Sequence, residues 1–338
     1  MSGLEYNRCY YLDLVKVITA FLVIFGHLYS PSSTVRLYLY GFHMPLFFVV
    51  SGVFHKNTGK VNWYYYSRSI LWPILIFIVL SIITNVLFYG AQLSAQLRYY
   101  FIDIPLGKIK DILWFLFALF WCKVLLDLFF RFHNKLFYLC LWACLLFIPV
   151  FIFQLRLPYA LSQGMMAFPF YAVGFWGKDF LKQLKPSFKW VIPCISCLVM
   201  TFLITKYLQG RVSMLGVHFG NLPEMLLGDS AKNLPFISKA LLRFSSIILF
   251  YVNGFIGSTM LLSFSLLPFP KTKIITSLSK SLINRSRDSV YFHKLLLESY
   301  WAQQQLFGEF RLVVMCVSFV LLNASDTSPR LSISNFAH

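Results

Sequence analysis

Asp13, Lys16 and His27 are three ionisable residues inside one otherwise apolar run, residues 12–29. In a helix, the 11 residues from Lys16 to His27 make about three turns, so both side chains share a face, roughly 16 Å apart along the axis. Asp13, three residues before Lys16, falls on the same side and can pair with it. Such a stripe suits two tasks at two depths. A lysine at one end can hold an anionic group. An imidazole at the other can accept and return a proton near neutral pH. The plain structural readings are a lysine snorkelling at a helix end and a histidine bonded to a neighbouring carbonyl.

A second group follows at Phe42-His43-Met44-Pro45-Leu46-Phe47-Phe48, with Ser51-Gly52 further on. Pro45 suits a first helical turn, which puts His43 at a helix start. If the first span runs outward, His27 and His43 share a membrane depth. Ser51 with a histidine could form a nucleophile, but no acid completes a triad by spacing. Arg68 is expected just before the third span, on the side of Lys16, where two cations suit a phosphate. Loop charge accounts for Arg68 equally well. His293 opens a late apolar run, and a lone histidine there has an easy structural reading.

The elements that must position these residues follow from composition. Of the 338 residues, 58% are hydrophobic and only 12% charged, with a mean hydropathy of +0.69. A soluble domain carries about 25% charged residues. The hydrophobic share, about 196 residues, is enough for ten spans of roughly 20 residues each. A soluble enzyme, a disordered chain and a disulfide-rich secreted domain are therefore excluded. The apolar runs are continuous rather than alternating, against a transmembrane barrel. The expected fold is an all-α polytopic membrane protein of about ten transmembrane helices.

The apolar stretches lie at 12–29, 42–54, 70–89, 112–130, 136–153, 162–177, 190–208, 241–267, 288–303 and 308–323. The stretch at 241–267 reads as one tilted helix or two pieces broken at Asn253-Gly254. A polar connection is expected at 209–240. With the N-terminus cytoplasmic, the inside segments hold 16 Lys and Arg and the outside segments 10, so that orientation is preferred. Residues 1–323 then form one integral membrane domain, and 324–338 a short polar tail. The net charge of +18 belongs to cytoplasmic loops facing anionic headgroups. No basic run with interleaved aromatics stands outside the spans, so nucleic acid is not an expected partner. The seven cysteines include a CxxC at Cys194 and Cys197, but without a second pair or a nearby histidine it makes no metal site.

Together these residues resemble the acyltransferase 3 family of integral membrane O-acyltransferases. Leu12-Asp13-Leu14-Val15-Lys16 running to Phe25-Gly26-His27 looks like the family's first-span motif, with Lys where many members have Arg. That substitution resembles the branch similar to fucose 4-O-acetylases. The run from Phe42 to Gly52 resembles the second motif. Arg68 with Pro73 resembles the basic entry to the third span, although Leu71 stands where many members have a second arginine. Leu113-Trp114-Phe115-Leu116, the run from Pro169 to Gly174, and Ser289 to His293 are further matches, within about residues 5–305.

The resemblance implies acetyl transfer from acetyl-CoA to a sugar or polysaccharide hydroxyl of the cell envelope. Acetyl-CoA is a co-substrate, with no bound cofactor and no metal. It implies a multi-pass protein of the bacterial plasma (inner) membrane. Lys16 and Arg68 would meet the donor's phosphates, and His27 would act as general base. His43 would orient His27 or bind the acceptor, with Asp13, Ser51 and His293 in support. An acetyl-histidine intermediate is left open. The rival class is a membrane transporter or flippase for a glycan or other small solute, which shares the spans, the basic loops and the intramembrane histidines.

Overall fold

The structure is a computed structural model. It describes residues 11–12, 14–15, 18–19, 21–22, 33–56, 60–109, 113–131, 157–207 and 233–268, all within the compact unit Met1–Pro268. Every regular element among these residues is helical. The spans expected at 136–153, 288–303 and 308–323 lie outside the described residues, as do Asp13, Lys16, His27 and His293.

A short helix α1 (Thr34–Tyr40) runs into α2 (His43–Val53) through a break at Gly41 and Phe42. Helix α3 (Trp63–Tyr66) passes through a π-helical turn (Ser67–Leu71) into α4 (Trp72–Tyr89). Helix α5 (Leu93–Arg98) runs into a second π turn (Tyr99–Asp103). Then come α6 (Leu113–Arg131), α7 (Leu161–Trp176), α8 (Lys178–Gln183), α9 (Val191–Tyr207) and α10 (Phe236–Ser265). Four helical stretches are long and apolar enough to cross a membrane: Trp63–Leu87, Leu113–Phe130, Phe188–Lys206 and Phe236–Ser265.

Three boundaries differ from the sequence reading. The third span begins at Trp63, so Arg68 lies inside a helical run rather than ahead of it. Asn62 starts that run by accepting the Tyr65 N–H on its side chain. Pro73 does not end it. In an unbroken α-helix the Pro73 ring would press on the Ser69 carbonyl, and the π turn relieves this by widening the ladder. The Trp72 N–H accordingly reaches Ser67 O. Second, α10 is one continuous helix from Phe236, which shortens the expected polar connection at its end. Asn253-Gly254 does not break it, because tertiary packing holds both residues. Asn253 is 1% exposed, and a Cβ on Gly254 would meet Phe170 and Pro45 within 3.0 Å. Third, a separate helix, α1, precedes His43.

α7 packs on α2 and α6, and α10 packs on α9 and α2. The α2–α7 contact is set by two glycines. A Cβ on Gly52 would lie 2.0 Å from the Tyr171 carbonyl oxygen, and one on Gly174 would lie 1.9 Å from that of Val49. Only hydrogen side chains let these backbones approach so closely, the usual device where helices cannot rely on the hydrophobic effect. α6 is central, with Leu113, Ala118, Cys122, Leu126 and Asp127 all fully buried. By contrast, α4 presents Trp72, Leu75, Val79, Ile83 and Leu87 outward along one stripe, each more than 45% exposed. A stripe of this size would be a liability in water, whereas against lipid it is the expected surface.

Candidate active site

Near the end of the bundle that carries Lys56, Lys178, Lys182, Lys185 and Lys189, four elements bring buried polar groups together. His55 leaves α2 two residues after its last turn, and its backbone N–H is bonded to the Gly52 carbonyl. Its Nε2 lies 3.0 Å from Asp127 Oδ1 on α6, and its Nδ1 lies 2.8 Å from the Tyr171 hydroxyl on α7. The second Asp127 oxygen, Oδ2, accepts the Tyr66 hydroxyl from α3 at 2.5 Å. The side chains of His55 and Asp127 are 2% and 0% exposed.

One proton assignment satisfies every group. Neutral His55 donates Nε2–H to Asp127 and accepts the Tyr171 O–H at Nδ1, while the Asp127 carboxylate also accepts from Tyr66. Burial holds the His55 pKa below its ordinary value, against the hydrogen bond and charge of Asp127, which raise it. The nearby positive charges of Lys123 and Lys178 add to the lowering. A buried carboxylate beside a neutral imidazole needs a cation close by. Lys123, one turn before Asp127 on α6, is near enough for its charge to act on His55. It is itself buried, and its Nζ lies 5.6 and 5.8 Å from the ring centres of Tyr65 and Tyr66.

His43 is a separate feature. It is the first residue of α2 and 1% exposed. Its Nδ1 lies 2.6 Å from the Leu39 carbonyl, and its ring meets the Tyr40 ring edge-on at 4.8 Å. Donating Nδ1–H to that carbonyl leaves the lone pair of the neutral ring on Nε2. The break before it is held by α10. Gly41 leaves room for the Asn253 amide, whose Nδ2 donates to Gly41 O at 3.4 Å. The Phe42 ring fills the space beside Gly257.

Of the residues singled out in the sequence, His43, Ser51 and Arg68 are described. Ser51 is half-buried on α2, while Arg68 is exposed on the π turn. His43 and His55 sit at opposite ends of α2 and belong to different clusters. The His55–Asp127 pair was not singled out in the sequence. Its signal there was Lys123 and Asp127, two opposite charges four residues apart inside an apolar run. Cys194 and Cys197 are free thiols packed near Leu39, Phe42 and Met260. Among the described residues, no group of three or more His, Cys, Asp or Glu could hold a metal ion.

An all-helical bundle with lipid-facing apolar stripes and buried ionisable clusters defines a membrane protein with polar chemistry inside it. Residues 10–321 match the family model of the acyltransferase 3 domain, described as an acyltransferase domain. The chain belongs to that family of acyltransferases. Comparison with curated proteins and with solved structures gives no significant match.

Proposed function

We propose that this protein is a membrane O-acetyltransferase that moves an acetyl group from acetyl-CoA to a hydroxyl of a cell-envelope sugar or polysaccharide. The observation that carries the reading is the family match over residues 10–321, which spans Asp13, Lys16, His27, His43, Ser51, Arg68 and His293. The fucose 4-O-acetylase-like branch is the one the first-span lysine favours, and the bacterial inner membrane is the proposed location. Acetyl-CoA enters from the cytoplasmic side, with its phosphates at Lys16 and Arg68. Exposure of Arg68 at the lysine-bearing end supports an anion site there. His27 takes the proton of the acceptor hydroxyl as its oxygen attacks the acetyl carbonyl. The coenzyme A thiolate leaves and is protonated, which closes the balance. His43, its tautomer fixed by Leu39, orients His27 or binds the acceptor.

The test is acetyl transfer from labelled acetyl-CoA to envelope glycan by the full chain in membranes. Wild type is expected to transfer label, and His27→Ala and His43→Ala to lose at least about 100-fold, the usual size of a general-base contribution. Transfer unchanged in both variants would remove the two histidines from the site. Solute movement without consumption of acetyl-CoA would replace the enzyme with a transporter.

A further inference from the structure

The proposed donor site contains an exposed arginine, and the structure contains a buried network whose use is otherwise unaccounted for. Tyr66 and Arg68 join the two. Tyr66 is the last residue before the π turn, and its hydroxyl is held by Asp127. Ile70, on the far side of Arg68, is fully buried. Arg68 therefore stands outward between two inward anchors, on a turn that packs against α6. Lys123 lies beside the rings of Tyr65 and Tyr66, and Asn62 caps the start of the same helix. On its other side Asp127 is tied through His55 to the end of α2, and through Tyr171 to α7. π turns are uncommon and concentrate at functional sites, where they re-aim one residue without ending the helix.

We infer that Asp127, His55 and Tyr66 form a positioning clamp that sets where the π turn presents Arg68. This rests on the reading of Arg68 as a donor-phosphate ligand, and the experiment separates the two. A spin-labelled non-canonical side chain is placed at position 68, and a control at Leu80 on the outward face of α4. In the full chain in nanodiscs, Tyr66→Phe and Asp127→Asn are expected to loosen the label at 68 and leave the one at 80 unchanged. Labels at both positions unmoved, or both loosened alike, would overturn the clamp.

The second arm measures KM for acetyl-CoA. Tyr66→Phe is expected to raise it about tenfold, the worth of one hydrogen bond to a charged group, with kcat within about twofold. Asp127→Glu is expected to recover part of the Asp127→Asn loss. In an Arg68→Ala background, Tyr66→Phe is expected to add nothing further. An equal rise in both backgrounds would overturn the clamp. An unchanged KM in Arg68→Ala alone, with label 68 still loosened by Tyr66→Phe, would overturn the donor reading and leave the clamp standing.

Discussion

A neutral imidazole between a carboxylate and a phenol has a pH signature. The His55 pKa is lowered by burial, so near and below pH 6.5 the unfolded chain binds a proton that the folded chain does not. The stability this contributes is present above about pH 6.5 and is lost as pH falls through the lower folded value. Lys123 and Lys178 oppose protonation and Asp127 favours it, and desolvation is the largest influence. We predict that the melting midpoint in detergent drops between pH 7.5 and 5, and drops less in His55→Gln. Equal slopes would show that His55 is not the titrating group. Asp127→Ala is expected to cost about 3–5 kcal/mol, because the buried His55 N–H and Tyr66 hydroxyl then lose their acceptor. The replacement of Asp127 by Asn should cost less, since the amide keeps the side chain's volume although one oxygen can no longer accept from both Tyr66 and His55.

At the level of elements, the network exists because α2 and α7 nearly touch. Gly52 lies three residues before His55, and its Cβ position falls on the Tyr171 backbone. The contact that excludes a side chain at 52 is therefore the one that brings the Tyr171 hydroxyl to His55. Gly52→Ala or Gly174→Ala must push backbone aside, and we expect a loss of about 3 kcal/mol or more, or no folded protein. Gly90, by contrast, has φ +63 and nothing within 4 Å of its Cβ position. Alanine there meets only backbone strain, about 1 kcal/mol. Thermal melts of the three variants side by side check the ranking, and a Gly52→Ala as mild as Gly90→Ala would mean that the helices can slide apart. Pro73 acts at the same scale. It lies inside one helical run, where the π turn accommodates its ring, so Arg68 sits within a helix rather than ahead of one.

At the scale of the whole molecule, the described residues are apolar on outward faces as well as in the core, unlike those of a soluble protein. The outward stripe of α4 is apolar, while Lys123 and Asp127 of α6 are buried. Val79→Arg is predicted to destabilise the protein in bilayers by roughly 3 kcal/mol, the scale of an arginine in a lipid-facing span. A neutral effect would mean that this face does not meet lipid. The proposed orientation puts Lys56 and Lys185 in the cytoplasm and Ala91 outside. An impermeant thiol reagent added to intact cells should then label Ala91→Cys and spare Lys56→Cys and Lys185→Cys. The reverse pattern would invert the chain.

Composition and run length alone determined that this chain is a helical membrane protein, because a third of a thousand residues with so little charge has no other way to shield its backbone polar groups. They also placed most of the described spans to within a few residues, since a helix in lipid must be both apolar and long. The helix start at His43 was legible too, because Pro45 suits a first helical turn. What the sequence did not disclose is which polar residues meet. His55, Tyr66, Asp127 and Tyr171 are spread over 117 positions, on four elements, and no periodicity links them. Their meeting depends on a helix crossing tight enough to exclude a methyl group, on a π turn induced by a proline, and on α6 running through the middle. Those are properties of packing, and only the tertiary structure decided them.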